Sequence, residues 1–286
     1  MINKCIAYLD MIGFGNLANL ETGKAWDCLL DYQTICNISY NDKLSNSKRL
    51  NHESSRASVE KNLVDSFEYF LPFSDSLFIQ SSEADIFIRQ ISSFLFRCFS
   101  LRSQVPIKDY PPILFQGGIS YGKTIVIDNF TIVNNEKGEV KNIVGPALVN
   151  AVNTFDKKYK SKMGPRLFCD GSFFSKLTPE TQRFWIKDEN TIYEVLWPSF
   201  YFIDNGNPDI GDLIRPVKKL LEYYKGSEYI GHYEQFMELV FRSIITYYKY
   251  DEGCKTINKY LDVNNMSDIK SMFNKYCKDT RKSKQT

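Results

Sequence analysis

Two apolar runs, Tyr8-Leu9-Asp10-Met11-Ile12-Gly13-Phe14 and Phe73-Ser74-Asp75-Ser76-Leu77, each carry a single aspartate inside or at the end of a predicted buried strand. An ionised carboxylate is costly there unless a cation or a hydrogen-bond donor compensates it. Taken singly, each acid reads as a strand-end or turn residue. Brought together by strand pairing, Asp10 and Asp75 would form a hard, oxygen-rich site suited to Mg²⁺ or Mn²⁺. The chain must therefore fold so that these two runs become neighbours.

The 286 residues, 43% hydrophobic and 15% aromatic, can bury a substantial core. A net charge of +2 draws the chain neither to nucleic acid nor to an anionic membrane, and the only basic run, 278–284, reads as a solvated tail. Seven cysteines without CxxC spacing read as reduced thiols packed as small hydrophobes. The start enters a strand directly, with no signal-peptide pattern and no long apolar span, so a cytoplasmic protein without a membrane segment is expected. With only His52 and His232, both in polar contexts, a histidine-based metal site or catalytic triad is not expected.

Periodicity predicts strands over 2–9, 66–72, 76–80, 113–119, 123–134, 167–170 and 191–197. Helices are expected over 22–38, 84–103, 145–160 and 178–183, with a polar surface insertion over 39–64. After Pro208 the period becomes helical and aromatic-rich. The expected fold is α+β: a ferredoxin-like, mainly antiparallel sheet with helices on one face, spanning 1–200, plus a helical extension over 209–286.

Gly117-Gly118-Ile119-Ser120-Tyr121-Gly122-Lys123-Thr124 satisfies the phosphate-loop pattern GxxxxGK[ST]. That loop works only when a helix follows at once. Here Ile125-Val126-Ile127 follows, which prefers a strand. A turn between two strands is the better account, and a phosphate-loop NTPase the least favoured reading.

In order, Asp10-Met11-Ile12-Gly13-Phe14, Ser74-Asp75, Gly118-Ile119-Ser120-Tyr121-Gly122 and Gly145-Pro146-Ala147-Leu148-Val149 with Ala151 resemble the motifs of class III nucleotidyl cyclases over residues 2 to about 198. The resemblance implies that Asp10, Asp75 and the backbone carbonyl of Met11 hold two divalent ions, Mn²⁺ or Mg²⁺, about 3.5–4 Å apart. It further implies that amides of Ile12–Gly15 cradle phosphates and that sites are completed across a homodimer. The departures matter as much: Val149 and Asn153 stand where the family has its ribose-orienting Asn and its transition-state Arg, with Asn150 one residue from register. Gln116 replaces the Arg of the third motif, and Leu71 and Asn142 occupy the two purine-reading positions. An apolar Leu71 cannot read a purine edge. The pattern is similar to bacterial antiphage pyrimidine cyclases of the Pycsar type, which make cyclic UMP or cyclic CMP for a separate effector. By that likeness Phe14, Asn142, Asn153 and Lys187 become nucleotide contacts and UTP the favoured substrate. A catalytically degenerate cyclase fold that binds nucleotide or a partner is the alternative.

Overall fold

The computed structural model describes residues 2–54, 68–100, 106–107, 112–130, 140–159, 163–187, 191–205 and 209–283. Among these, one sheet runs in the order β2-β3-β1-β4-β6-β8-β7, with β5 pairing only to β4. Its strands are β1 (Ile2–Met11), β2 (Tyr69–Phe73), β3 (Ser76–Ser81), β4 (Phe115–Phe130), β5 (Val140–Val144), β6 (Leu167–Asp170), β7 (Trp185–Lys187) and β8 (Ile192–Val195). All pairs are antiparallel except β4–β6. The α+β class read from sequence is the one observed.

Alternation along β1 explains how the sheet is covered. Cys5, Ala7, Leu9 and Met11 point to the main core, where α2 (Thr22–Ser54) and α3 (Ala84–Ser100) lie. The residues that supply it, Cys28, Tyr32 and Ile35 of α2 and Phe87, Ile91 and Phe94 of α3, are those the 3.6-residue period selects. Ile6 and Tyr8 point the other way, into a smaller cluster with Ile143, Ala147 and Ala151. The last two belong to α4 (Pro146–Tyr159). The expectation of helices on one face is thus corrected: α4 packs on the opposite face, because Gly118 leaves room for it.

Three further expectations change. Residues 113–119 and 123–134 do not flank a turn, since β4 runs unbroken from Phe115 to Phe130 and 131–134 lies outside the described residues. Gly117 and Gly118 serve close approach instead: a Cβ on them would lie 2.1 Å from the Tyr8 carbonyl oxygen and 2.0 Å from that of Ala151. No helix follows Lys123, so the phosphate-loop reading fails on structure as well. The second helix continues past 38 to Ser54, through the expected insertion, of which 55–64 lies outside the described residues. A short helix, α1 (Phe14–Leu20), also precedes it.

Beyond α5 (Gly171–Phe174) and α6 (Pro179–Gln182), the chain becomes helical: α7 (Pro198–Asn205), α8 (Gly211–Tyr223), α9 (Ile230–Tyr248), α10 (Tyr250–Val263) and α11 (Ser267–Ser283). Their apolar faces join the same cluster as α2 and α3. Trp197 Nε1 donates to the Pro165 carbonyl at 2.8 Å, and Phe236 of α9 packs edge-on against Phe99 of α3 with centroids 5.0 Å apart. Among the described residues no helix is long and apolar enough to cross a membrane.

Candidate functional site

Strand register brings the two acids together. Asp10 sits at the C-terminal end of β1, paired with Ser76 of β3 on one side and Gln116 of β4 on the other. Asp75 lies in the two-residue turn joining β2 to β3, since Phe73 pairs with Ser76. The turn holds Ser74 at φ 54°, a conformation that costs a non-glycine residue about 1–2 kcal/mol and is kept by the closing strand pair. The Met11 amide donates to the Asp75 carbonyl at 2.9 Å, tying the first motif to the second.

Asp10 shares its face of β1 with Tyr8. Ser76 Oγ donates to Asp10 Oδ1 at 3.4 Å and lies 3.4 Å from the Tyr8 hydroxyl, both long contacts. Burial pushes the Asp10 carboxyl above its usual range, and the neighbouring Asp75 charge pushes it further; hydrogen bonds from Gln116, Ser76 and Tyr8 oppose this without cancelling it. Two neighbouring carboxylates, one of them half-buried and raised by the charge of the other, suit a divalent ion. The donors are all oxygen, which favours Mg²⁺ or Mn²⁺ over softer metals. Among the described residues no group of three or more His, Cys, Asp or Glu is placed to hold a metal ion. The thioether of Met11 is not a ligand, being buried with Cys28 Sγ 3.7 Å from its sulfur.

The remaining sequence-derived positions scatter. Phe14 follows Gly13, whose φ of 76° starts α1, and its ring is buried in the core. Of the amides expected to cradle phosphates, that of Ile12 is taken by the Leu114 carbonyl at 2.8 Å, leaving Gly13–Gly15, the first-turn donors that a helix does not satisfy internally. Asn142 is exposed on β5 and pairs with Ile127, eleven residues along β4 from the Gln116 that pairs with Asp10; that separation is about 36 Å. Its side-chain oxygen accepts from the Ile143 amide at 3.0 Å. Asn153 is exposed on α4, as are Val149 and Asn150. Lys187 lies on β7, four strand spacings or about 19 Å from β1. Leu71 pairs with Phe78 and joins the small cluster beside Tyr8, whose ring is 5.2 Å from that of Phe78.

Sequence reading missed Tyr8, Ser76 and Gln116 as partners of Asp10, although the two-residue period already placed Tyr8 on its face. It also missed the pairing of Arg166 with Glu194, both almost fully buried, because the partners come from distant elements.

No family model matches the chain, and no curated protein does. Among solved structures it is similar to a bacterial light-regulated adenylyl cyclase, at 15% identity and TM-score 0.49 over 68% of this chain and 52% of that one. It is also similar to the guanylyl cyclase Cya2, at 13% identity and TM-score 0.40 over 68% and 92% of the two chains. A third is the non-canonical dimeric guanylyl cyclase domain of the RhoGC fusion protein from the aquatic fungus Blastocladiella emersonii, at 11% identity and TM-score 0.40 over 68% and 97%. The chain spans about half the length of the light-regulated cyclase it matches. At these identities and scores, roles for this chain's residues rest on its own sequence and geometry.

Proposed function

We propose that this protein is a nucleotidyl cyclase that converts a pyrimidine nucleoside triphosphate, UTP in preference to CTP, into its 3′,5′-cyclic monophosphate and pyrophosphate. The observation that carries this reading is the convergence of Asp10 and Asp75 at one end of the sheet, with the Met11 amide on the Asp75 carbonyl at 2.9 Å. Two bound divalent ions, Mg²⁺ or Mn²⁺, would activate the ribose 3′-hydroxyl and neutralise the triphosphate. Asp10 and Asp75 would hold the ions, with the Met11 carbonyl as a further ligand. Ser76 and Gln116 fix the Asp10 carboxylate from the two flanking strands. First-turn amides of α1 offer donors to the phosphates. Leu71 in an apolar row with Tyr8 and Phe78 favours a base without a purine edge to read.

A homodimer completes the site in this reading. Asp10 and Asn142 stand at opposite ends of β4, so one chain does not join them, whereas a two-fold pairing sets one end against the other. Where β4 and β5 pair, Ile125, Ile127 and Val144 are exposed apolar residues that such a pairing would cover. Asn142, Asn153 and Lys187 then act as nucleotide contacts, Phe14 contributes through its backbone because its ring is buried, and the cyclic product serves a separate effector in antiphage defence. Val149, Asn153 and Gln116 in place of family residues favour one second reading, a cyclase fold that binds nucleotide without turning it over.

The test is to incubate the purified chain with all four NTPs and Mn²⁺ and identify the products by mass. Cyclic UMP as the main product, lost in Asp10→Ala and in Asp75→Ala while both variants keep their circular dichroism, is the expected outcome. Nucleotide binding without product in the unmodified chain selects the degenerate reading.

A further inference from the structure

Behind the first motif, on the side of β1 that Met11 faces and away from the Asp10 carboxyl, lies a cavity of about 240 Å³. One wall is the Met11–Phe14 turn with Leu17 and Leu20 of α1, and the other is Tyr224, Tyr229, His232 and Tyr233 around the junction of α8 and α9. The tyrosines form a built aromatic surface: Tyr224 and Tyr233 stack with centroids 4.4 Å apart at 16°, and Tyr223 meets Tyr224 edge-on at 4.9 Å. Asn16 Nδ2 donates to the Tyr229 hydroxyl at 2.9 Å, bridging α1 to the start of α9.

The lining sets the chemistry of a guest. Among the described lining residues there is no lysine or arginine, and the only charged one, Glu21, is already paired with Lys24. An anion such as a nucleoside triphosphate would find no counter-charge, so the cavity is not a second nucleotide site. His232 Nδ1 accepts from the Gly164 amide at 3.1 Å. In the neutral ring, favoured by burial, the proton therefore sits on Nε2 as a donor. Two large apolar side chains at the rim, Leu20 and Tyr223, are 81% and 50% exposed. A ligand seated against the concave aromatic surface would cover both.

We propose that this cavity binds a small, uncharged, planar aromatic molecule bearing a hydrogen-bond acceptor, and that its occupancy steadies the Met11–Asn16 turn on which Asp10 depends for its setting. The aromatic plane lies against the tyrosine wall, and the acceptor receives a hydrogen bond from His232 Nε2–H. Because Gly13 is the only αL residue between β1 and α1, the turn is the point where packing from behind restricts motion.

The test needs no catalysis. The full chain is dialysed to equilibrium against 7-methoxycoumarin and quinoline, which carry an acceptor, and against naphthalene-2-sulfonate, an anion of similar size. Saturable binding of one molecule per chain with a Kd of about 0.1–1 mM, in the range so few heavy atoms support, is expected for at least one acceptor compound. The sulfonate should bind at least about tenfold more weakly. Leu17→Trp fills the cavity and Leu20→Trp blocks its mouth; each should weaken binding about tenfold. If Leu17→Trp does not fold, the exposed Leu20→Trp position decides. Hydrogen exchange of the Met11–Asn16 amides should slow when the probe saturates. The site is overturned if neither acceptor compound saturates by about 5 mM, if the sulfonate binds equally well, or if Leu20→Trp binds like the unmodified chain. Binding without slower exchange overturns the coupling to the turn. Absence of any cyclic product from the chain counts against the cyclase reading and leaves the cavity's ligand untouched.

Discussion

Asp10 shows how one residue is set against stability for the sake of a site. Burial and the Asp75 charge raise its carboxyl above the usual range, so the folded chain holds that proton more tightly than the unfolded chain does. The sign follows from linkage: the stabilisation is fully present below the unfolded carboxyl pKa of about 3.9 and is lost as pH rises through the higher folded value. At pH 7 the metal-free protein bears the repulsion. Asp10→Asn should therefore raise the denaturation midpoint of the metal-free chain at pH 7, with the gain fading toward pH 4, while turnover is lost. Urea titrations in EDTA at both pH values check this; equal effects at the two would refute it. The cysteines illustrate the opposite case. Burial pushes Cys5, Cys28 and Cys36 up to about 12, so they stay protonated, pack as hydrophobes and carry no chemistry.

At the level of elements, β4 and α4 decide how closely the second face of the sheet is covered. Gly118 lies under α4, where a Cβ would meet the Ala151 carbonyl oxygen at 2.0 Å and the Phe155 amide at 2.9 Å, both backbone atoms that cannot swing aside. Gly122, one turn of α4 away, would only touch Ala147 Cβ at 3.6 Å. Gly118→Ala should cost about 1–3 kcal/mol, as overpacking does, and Gly122→Ala should stay within about 0.5 kcal/mol. Chemical denaturation of the two variants separates them. Equal costs would mean that α4 does not bear on β4 as described. The pattern GxxxxGK[ST] is thus explained by packing, and Lys123 is an exposed strand residue paired with Asn3.

At the scale of the whole molecule, the C-terminal helices are joined to the sheet by buried charge as well as by apolar contact. Arg166, ahead of β6, pairs with Glu194 of β8 and donates to Gln235 Oε1 of α9 at 2.6 Å, while Arg242 of α9 reaches Glu194 at 2.9 Å. Removing one member leaves its partner charged and buried. Glu194→Ala should cost about 3–5 kcal/mol by thermal or urea denaturation, far more than loss of the exposed Lys218–Glu222 pair. The proposed dimer has its own test. Mixing inactive Asp10→Ala with an inactive Asn142 variant should restore about a quarter of full activity, since half of randomly assorted dimers hold one intact site of two. A fully active monomer would sink the shared site.

Local pattern was enough for the elements whose burial follows a simple period. The apolar stripes of α2 and α3, the hairpin around Asp75 and the strand bearing Asp10 were all legible, because period and turn chemistry act within a few residues. The two acids were legible too, since an aspartate in an apolar run is a local anomaly. Residues with no local anomaly were not. Ser76 and Gln116 are ordinary until strand register sets them either side of Asp10. The glycines of β4 read as a turn because the sequence carries no trace of the helix that presses on them. The side of the sheet that α4 covers, the Arg166–Glu194–Arg242 cluster and the tyrosine cavity all join residues far apart in the chain. Their positions depend on how whole elements pack, a long-range balance of burial and exclusion that only the tertiary structure decides.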